Sequence, residues 1–155
     1  MKKIRFVEEK DFKYIKALMQ SVHNLHSKNR SDIYKDNDVF YKNEFMDIIN
    51  SNNKNILVYE ENSDIKGCLL YSIKQQGEDE YIYSRKYLYI DMIVVNKDEV
   101  RKNIGKELYF EAKRIAMKNN CKSIDLNVWG FNKTAIEFYK KIGMSIKTIK
   151  FEDIL

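Results

Sequence analysis

The chain contains no proline, and only two cysteines, two histidines, five glycines and one tryptophan among its 155 residues. These scarcities exclude several classes of protein. Two cysteines, Cys68 and Cys121, can form at most one disulfide, and no apolar run of signal-peptide type opens the sequence, which argues against a secreted, disulfide-built domain. There is no Cys/His cluster at ligand spacing, so no structural metal is expected. No stretch approaches the roughly eighteen apolar residues of a membrane helix, so no membrane partner is expected and a cytoplasmic location follows. Charges of one sign never form a long block, which argues against a disordered tail. The missing proline accompanies a Lys- and Asn-rich composition and selects no fold by itself.

What is present suffices for one core. At 18.6 kDa and 44% hydrophobic residues, the chain reads as a single domain over residues 1–155. Lys and Arg number 28 against 23 Asp and Glu, a net charge of +5 that suits an anionic partner: nucleic acid, an acidic surface or a polyphosphate.

Ile4 and Phe6 alternate with polar neighbours as a first strand. From Asp11, a plausible N-cap, Phe12, Ile15, Met19, Val22 and His26 recur at helical spacing. A polar segment SKNRSDIYKDND reads as loop, and a second helix runs through Tyr41, Phe45, Ile48 and Ile49. NILVYEENSDIKGCLLYSIKQ holds two apolar runs around an Asn-Ser-Asp turn, an antiparallel hairpin. YIYSRKYLYIDMIVV forms the longest strand region. Ile104, Leu108, Ala112, Ile115 and Ala116 stripe a helix that ends at Asn119-Asn120. SIDLNVW reads as a strand. A short helix started by Asn132 and stopped by Gly143 carries Ala135, Phe138, Tyr139 and Ile142 on one face, and MSIKTIKFEDI reads as a last strand. The order β-α-α-β-β-β-α-β-α-β describes an α+β fold: a single mixed, mostly antiparallel sheet flanked by helices.

The organising stretch is YLYIDMIVVNKDEVRKNIGKELY, residues 87–109: an apolar strand, a basic loop, then a helix. Such an element points backbone N–H groups and a helix dipole at one spot, where a phosphate would sit. The loop VNKDEVRKNIGKEL resembles the acyl-CoA-binding signature of the GNAT N-acyltransferase superfamily, Val-x-Pro-x-x-Arg-Gly-x-Gly-x-Gly. Val95, Ile104 and Gly105 agree with it. Lys97 replaces the usual proline, Val100 the usual Arg or Gln, and Arg101 and Asn103 the usual glycines; asparagine tolerates positive φ best of these replacements. The later stretch LNVWGFNKTAIEFYKKIGM resembles the second signature of the superfamily, matching at Asn132, Ala135, Phe138, Tyr139, Gly143 and Met144. Together the two cover roughly Tyr87 to Met144.

The resemblance implies acetyl-CoA as acyl donor. N–H groups between Arg101 and Lys106, hence Arg101, Lys102, Asn103, Ile104, Gly105 and Lys106, would meet its pyrophosphate, with Arg101, Lys102 and Lys106 adding positive charge. The backbone of Ile93, Val94 and Val95 would pair with the pantetheine arm, one N–H polarising the thioester carbonyl. Asn132 would cap its helix and contact the cofactor. In the family a tyrosine at the position of Tyr139 donates a hydrogen bond or proton to the departing thiolate.

Attack by an amine also needs a proton acceptor, because a lysine-type ammonium has a pKa of about 10.4. Asp91 is the candidate base, with an ordered water as its alternative. On simple alternation it shares a face with Tyr87, Tyr89, Ile93 and Val95, an apolar setting that would raise its pKa, unless a bulge turns it to the other face. His26, with His23 beside it, lines the acceptor pocket or is a packed core histidine. Cys68 reads as a buried hydrophobe and Cys121 as a surface thiol, while Trp129, beside Gly130, either flanks the acceptor or caps the core, the reading preferred here.

The resemblance thus implies an N-acetyltransferase acting by direct attack in a ternary complex on a primary amine of a small molecule or peptide, as a monomer or homodimer. The rivals are a CoA-binding sensor domain without catalysis and a nucleic-acid-binding module. The latter would need basic residues clustered among exposed aromatics, and most tyrosines here fall on strand or helix-stripe positions, so no nucleic-acid partner is expected.

Overall fold

The computed structural model describes residues 1–100 and 102–155. Its strands are β1 (Lys2–Phe6), β2 (Lys54–Glu61), β3 (Asp64–Gln76), β4 (Arg85–Val95) and β5 (Ser123–Leu126). Its helices are α1 (Phe12–Asn29), α2 (Lys42–Ile49), α3 (Ile104–Lys118) and α4 (Lys133–Lys141). Five strands in the order β1-β2-β3-β4-β5 form a single mixed sheet flanked by the four helices among the described residues. β1 to β4 pair antiparallel with their neighbours, while β4 and β5 run parallel. A parallel step needs a crossover connection, and α3 supplies it.

The sheet is covered on both faces, which is why β2 and β3 carry unbroken apolar runs instead of alternation. One core joins Leu57, Tyr59, Leu69, Tyr71, Leu88 and Ile90 to Ile104, Leu108, Ala112 and Ile115 of α3. The other joins Ile56, Val58, Cys68 and Leu70 to Ile15 and Met19 of α1 and to Phe45 and Ile48 of α2. The helical stripes read from the sequence are these buried faces. The β2–β3 turn carries positive φ at Asn62 (52°) and Ser63 (68°), the backbone of a tight two-residue hairpin. Asn120 (57°) follows α3 and Gly143 (97°) ends α4 in the same left-handed region.

Four sequence expectations need correction. The strand read over residues 81–95 starts only at Arg85, and its eleven residues are fewer than the thirteen of β3. Asp11 stands at the N-cap position of α1 but caps no first-turn N–H of that helix. Its carboxylate is buried and accepts instead from the Glu8 N–H (2.8 Å) and from both terminal nitrogens of Arg5 (2.7 and 3.1 Å). Arg5 also reaches Glu60 at 2.8 Å, so one guanidinium ties β1, β2 and the start of α1 together. β5 ends at Leu126 and does not extend to Trp129. The last stretch, from Ser145 to Leu155, forms no strand.

The Asp11 carboxyl feels two opposed influences. Burial pushes its pKa up, and the Arg5 fork with the Glu8 N–H outweighs that and holds it below the ordinary carboxylate value. A depressed carboxyl pKa contributes stability that is present above the unfolded value and is lost as pH falls through the folded one. Asp11→Asn is therefore expected to cost about 3 kcal/mol in urea unfolding near neutral pH, leaving Arg5 half-paired. The gap between the two proteins should close as the pH drops below the ordinary carboxylate range.

Candidate active site

The site is built where β4 and β5 part. Their pairing runs from Tyr87–Ser123 to Ile90–Leu126 and stops, while β4 continues five residues further to Val95. The edge of Asp91–Val95 that would face β5 carries no strand among the described residues, and its free backbone groups can pair with an extended ligand. Ile93, Val94 and Val95 all lie on this stretch. Ile93 and Val95 send their side chains to the α3 core and Val94 to the α1/α2 core, so only their backbone is open to a ligand.

A register shift marks the place where the strands part. Leu70 pairs with Met92 but Tyr71 pairs with Ile90, which makes Asp91 the extra residue of a β-bulge. Asp91 and Met92 therefore follow one another on the α1/α2 face, and the apolar face of Ile93 and Val95 is not shared by Asp91, contrary to simple alternation. The Asp91 side chain is exposed instead of sitting in an apolar setting, and it accepts a hydrogen bond from the Ser72 hydroxyl at 2.7 Å. Ser72, buried on β3, carried no sequence signal: its role depends on the register shift.

Past Val95 the chain makes a short 3₁₀ turn, Lys97–Glu99, and enters α3 through Asn103, whose φ of 63° is left-handed. Asparagine here does what a glycine would do. Its side chain caps no N–H, and the first helical bond runs from the Glu107 N–H to the Asn103 carbonyl at 2.9 Å. Helix geometry thus leaves the N–H groups of Ile104, Gly105 and Lys106 without intrahelical partners, pointing along the helix dipole. A helix start with free N–H groups and the positive end of the dipole favours an anion. Lys106 is exposed and free of ion pairs among the described residues. Lys102 is engaged: it lies 2.6 Å from Glu99, which Lys66 approaches at 3.4 Å, and the pairing with Lys102 holds the Glu99 carboxyl below its ordinary pKa. Arg101, the remaining residue expected at the phosphate, lies outside the described residues.

Two glycines keep this corner close-packed. A Cβ on Gly105 would come within 3.3 Å of the Phe138 ring, so the start of α3 rests against α4. A Cβ on Gly67 would sit 2.9 Å from the Val94 carbonyl oxygen and 3.2 Å from Ile104.

α4 brings Asn132 and Tyr139 to the same region. The Asn132 side-chain oxygen accepts from the Ala135 N–H at 3.2 Å, so its acceptor is occupied as a helix cap. Tyr139 follows Phe138 on the inner stripe, and burial pushes its phenol up to about 12. Its hydroxyl makes no hydrogen bond within the described residues and remains a protonated donor at neutral pH.

The loop after β5 closes the other wall. Trp129 is not a core residue: it stacks on Phe131 (6.0 Å) and donates through its indole N–H to the Tyr34 hydroxyl at 3.1 Å. His26 lies 5.1 Å from the Tyr34 ring, and Arg30 sits over Trp129 at 5.1 Å. Burial, then the neighbouring His23, lowers the His26 pKa, so the ring is a neutral member of an aromatic wall. Sequence reasoning missed Tyr34, because it lies in an aperiodic polar loop and its partner is 95 residues away. Cys68 is fully buried with its thiol pushed up to about 12, and Cys121 is half-buried against the α3 core rather than on the surface.

A sequence model of the acetyltransferase (GNAT) family matches residues 19–144. Among solved structures, a mutant of the BH1408 protein from Bacillus halodurans superposes with a TM-score of 0.96 at 24% identity, over 99% of each chain. An aminoglycoside acetyltransferase, meta-AAC0020 from an uncultured soil metagenomic sample, in complex with sisomicin, gives a TM-score of 0.74 at 19% identity, over 99% of this chain and 96% of that one. The aminoglycoside N-acetyltransferase AAC(6')-Iy in complex with CoA gives 0.75 at 12% identity, over 99% of this chain and 95% of that one. These likenesses are of fold.

Gly67→Ala tests the packing at this corner. The added methyl meets the Val94 carbonyl, backbone that cannot rotate away, so β3 must draw back from the end of β4 and from the start of α3. Overpacking of this kind costs about 1–3 kcal/mol, read as a lower urea midpoint at unchanged slope.

Proposed function

Since the chain belongs to the GNAT acetyltransferase family, we propose that it moves an acetyl group from acetyl-CoA to the primary amine of a small molecule or peptide, by direct attack while both are bound. The observation that carries this reading is the parting of β4 and β5 directly before a helix start with unpaired N–H groups. The chain's residues fit such a donor: an open strand edge for an extended arm, and an anion site for a pyrophosphate one short turn further on. That AAC(6')-Iy is a CoA complex and meta-AAC0020 a sisomicin complex supports donor and acceptor class alike. Two free cysteines, one of them fully buried, suit the cytoplasm.

Acetyl-CoA supplies the acetyl group as a thioester. Backbone N–H groups of Ile104, Gly105 and Lys106 hold its pyrophosphate, with the positive charge of Lys106 beside them. The backbone of Ile93–Val95 aligns the arm, and one of its N–H groups meets the charge that develops on the carbonyl oxygen, worth a few kcal/mol in a preorganised site. Asp91, held by Ser72, takes a proton from the amine as its nitrogen bonds to the carbonyl carbon. Tyr139 donates a hydrogen bond to the departing sulfur. With its phenol near 12 against about 8.5 for a free thiol, it stabilises the thiolate by hydrogen bonding and does not surrender its proton outright.

Thermal unfolding with acetyl-CoA, and with ATP as a polyphosphate control, tests donor binding. A ligand at a hundred times its Kd stabilises by about 2.7 kcal/mol and moves the midpoint by several degrees. Acetyl-CoA should do so and ATP should do little; no shift with acetyl-CoA sinks the proposal.

Turnover on a panel of amines, followed by thiol release, separates an enzyme from a silent binder. Tyr139→Phe should lower kcat by about 10²-fold while leaving the acetyl-CoA midpoint shift in place. Absence of turnover on every acceptor would make the chain a silent binder, and an unchanged kcat in Tyr139→Phe would remove the role assigned to this residue.

A further inference from the structure

The helices leave part of one sheet face uncovered. Ile73, Leu88, Ile90 and Leu126 pack into the α3 core, so by alternation Lys74 of β3, Tyr87, Tyr89 and Asp91 of β4 and Asp125 of β5 share the opposite face. On that face the α1/α2 core ends at Leu70 and Met92. A shelf remains, leading from Asp91 back along β4 to Arg85.

Two cations lie on this shelf. The Lys74 Nζ rests over the Tyr89 ring at 4.1 Å and the Arg85 guanidinium over the Tyr87 ring at 4.6 Å. Lys74 pairs with Tyr87 across the strands and Gln76 with Arg85, which makes Lys74 and Arg85 diagonal neighbours. Neither is fully engaged. Lys74 is exposed and joins no ion pair among the described residues. Arg85 gives a single nitrogen, Nη2, to Ser123 (2.7 Å) and Asp125 (2.9 Å), and its Nε and Nη1 donate to no group among the described residues.

We propose, resting on the acetyl-transfer reading above, that the acceptor is a linear amine with an anionic group, carboxylate or phosphate, at its far end. Lys74 and Arg85 hold that anion while the amine nitrogen lies at Asp91. Charge favours this occupant over a polyamine. Apart from Asp91, the one carboxylate on the shelf among the described residues is Asp125, and three donors already meet it: Arg85, Ser123 at 2.6 Å and Lys147 at 2.6 Å. A second ammonium finds no free acid there and faces two like charges. Acids near the shelf point elsewhere. Asp79 accepts from the Tyr81 and Ile82 N–H groups of its own turn, and Glu44 and Asp47 line a cavity with Lys54, on the other side of Ser72 from Tyr89.

Spacing sets the length of the acceptor. Tyr89 and Tyr87 stand two and four residues before Asp91, about 7 and 13 Å at the rise of a strand, so the anion sits about 10 Å from the Asp91 carboxylate. With the nitrogen one hydrogen bond from Asp91, about 7 Å remain, the reach of an extended chain of about six carbons.

Four amines of one length test this: 6-aminohexanoate, 6-aminohexyl phosphate, hexylamine and 1,6-diaminohexane. Each is titrated calorimetrically into protein saturated with CoA, and each is assayed for turnover with acetyl-CoA. An anion-ended amine should bind about tenfold more tightly than hexylamine, with a matching gain in kcat/KM, and the diamine should come last. The two anions tell a carboxylate site from a phosphate site. Lys74→Glu should put the diamine ahead of both anions, and Lys74→Met should bring the anions down towards hexylamine. A retained acetyl-CoA midpoint shift shows that each variant is folded. Equal or undetectable affinities for all four amines, or an order that Lys74→Glu leaves unchanged, overturn the proposal, and turnover seen alongside them leaves acetyl transfer standing. Ordered binding without turnover supports the anion site and instead removes the transfer reading.

Discussion

The structure depends on the failure of two neighbouring strands to stay together. β4 and β5 hold each other for four residue pairs and then part, beside a bulge that gives β4 one residue more than β3 can match. Parallel pairing needs both strands to keep the same course, and the bulge bends β4 just where β5 ends. The parting exposes a strand edge inside a sheet otherwise covered on both faces. The same bulge turns Asp91 out of the apolar layer and towards Ser72. Backbone donors, the carboxylate and the loop into α3 all follow from one irregular register.

The two cores explain why this irregularity can be held in place. Leu88, Ile90, Ile93 and Val95 anchor β4 to α3 on both sides of the bulge, and Met92 and Val94 anchor it to the layer of α1 and α2. A strand fixed from both faces cannot slip to repair its register. Arg5 fastens the far edge of the sheet, joining β1, β2 and the approach to α1 through Asp11 and Glu60.

Elements whose signal is local were legible in the sequence. The stripes of α1, α2 and α3, the Asn62-Ser63 hairpin turn, the left-handed Asn103 and the Asn132 to Gly143 limits of α4 each rest on a few adjacent side chains and their backbone preferences. The bulge at Asp91 was not legible, since which residue is extra depends on how β3 and β4 align, and alternation gave the wrong face beyond it. The aromatic wall of His26, Tyr34, Trp129 and Phe131 is formed by pieces distant in the chain, so no window of sequence contains it. Asp11 carried a cap's signature, but the half-buried Arg5 competed for the same carboxylate and won. The final strand was read from an apolar pattern that is real, in a segment whose backbone meets no other backbone among the described residues.

The contact between Gly105 and Phe138 ties together two motifs that look separate in the sequence. One belongs to the first turn of α3 and the other to α4, the helix that carries Tyr139. Because the ring lies 3.3 Å from where a side chain would begin, any Cβ at the first position requires the ring to give by a few tenths of an ångström. A bulkier residue at the first asks for a smaller one at the second, and that would loosen the footing of Tyr139.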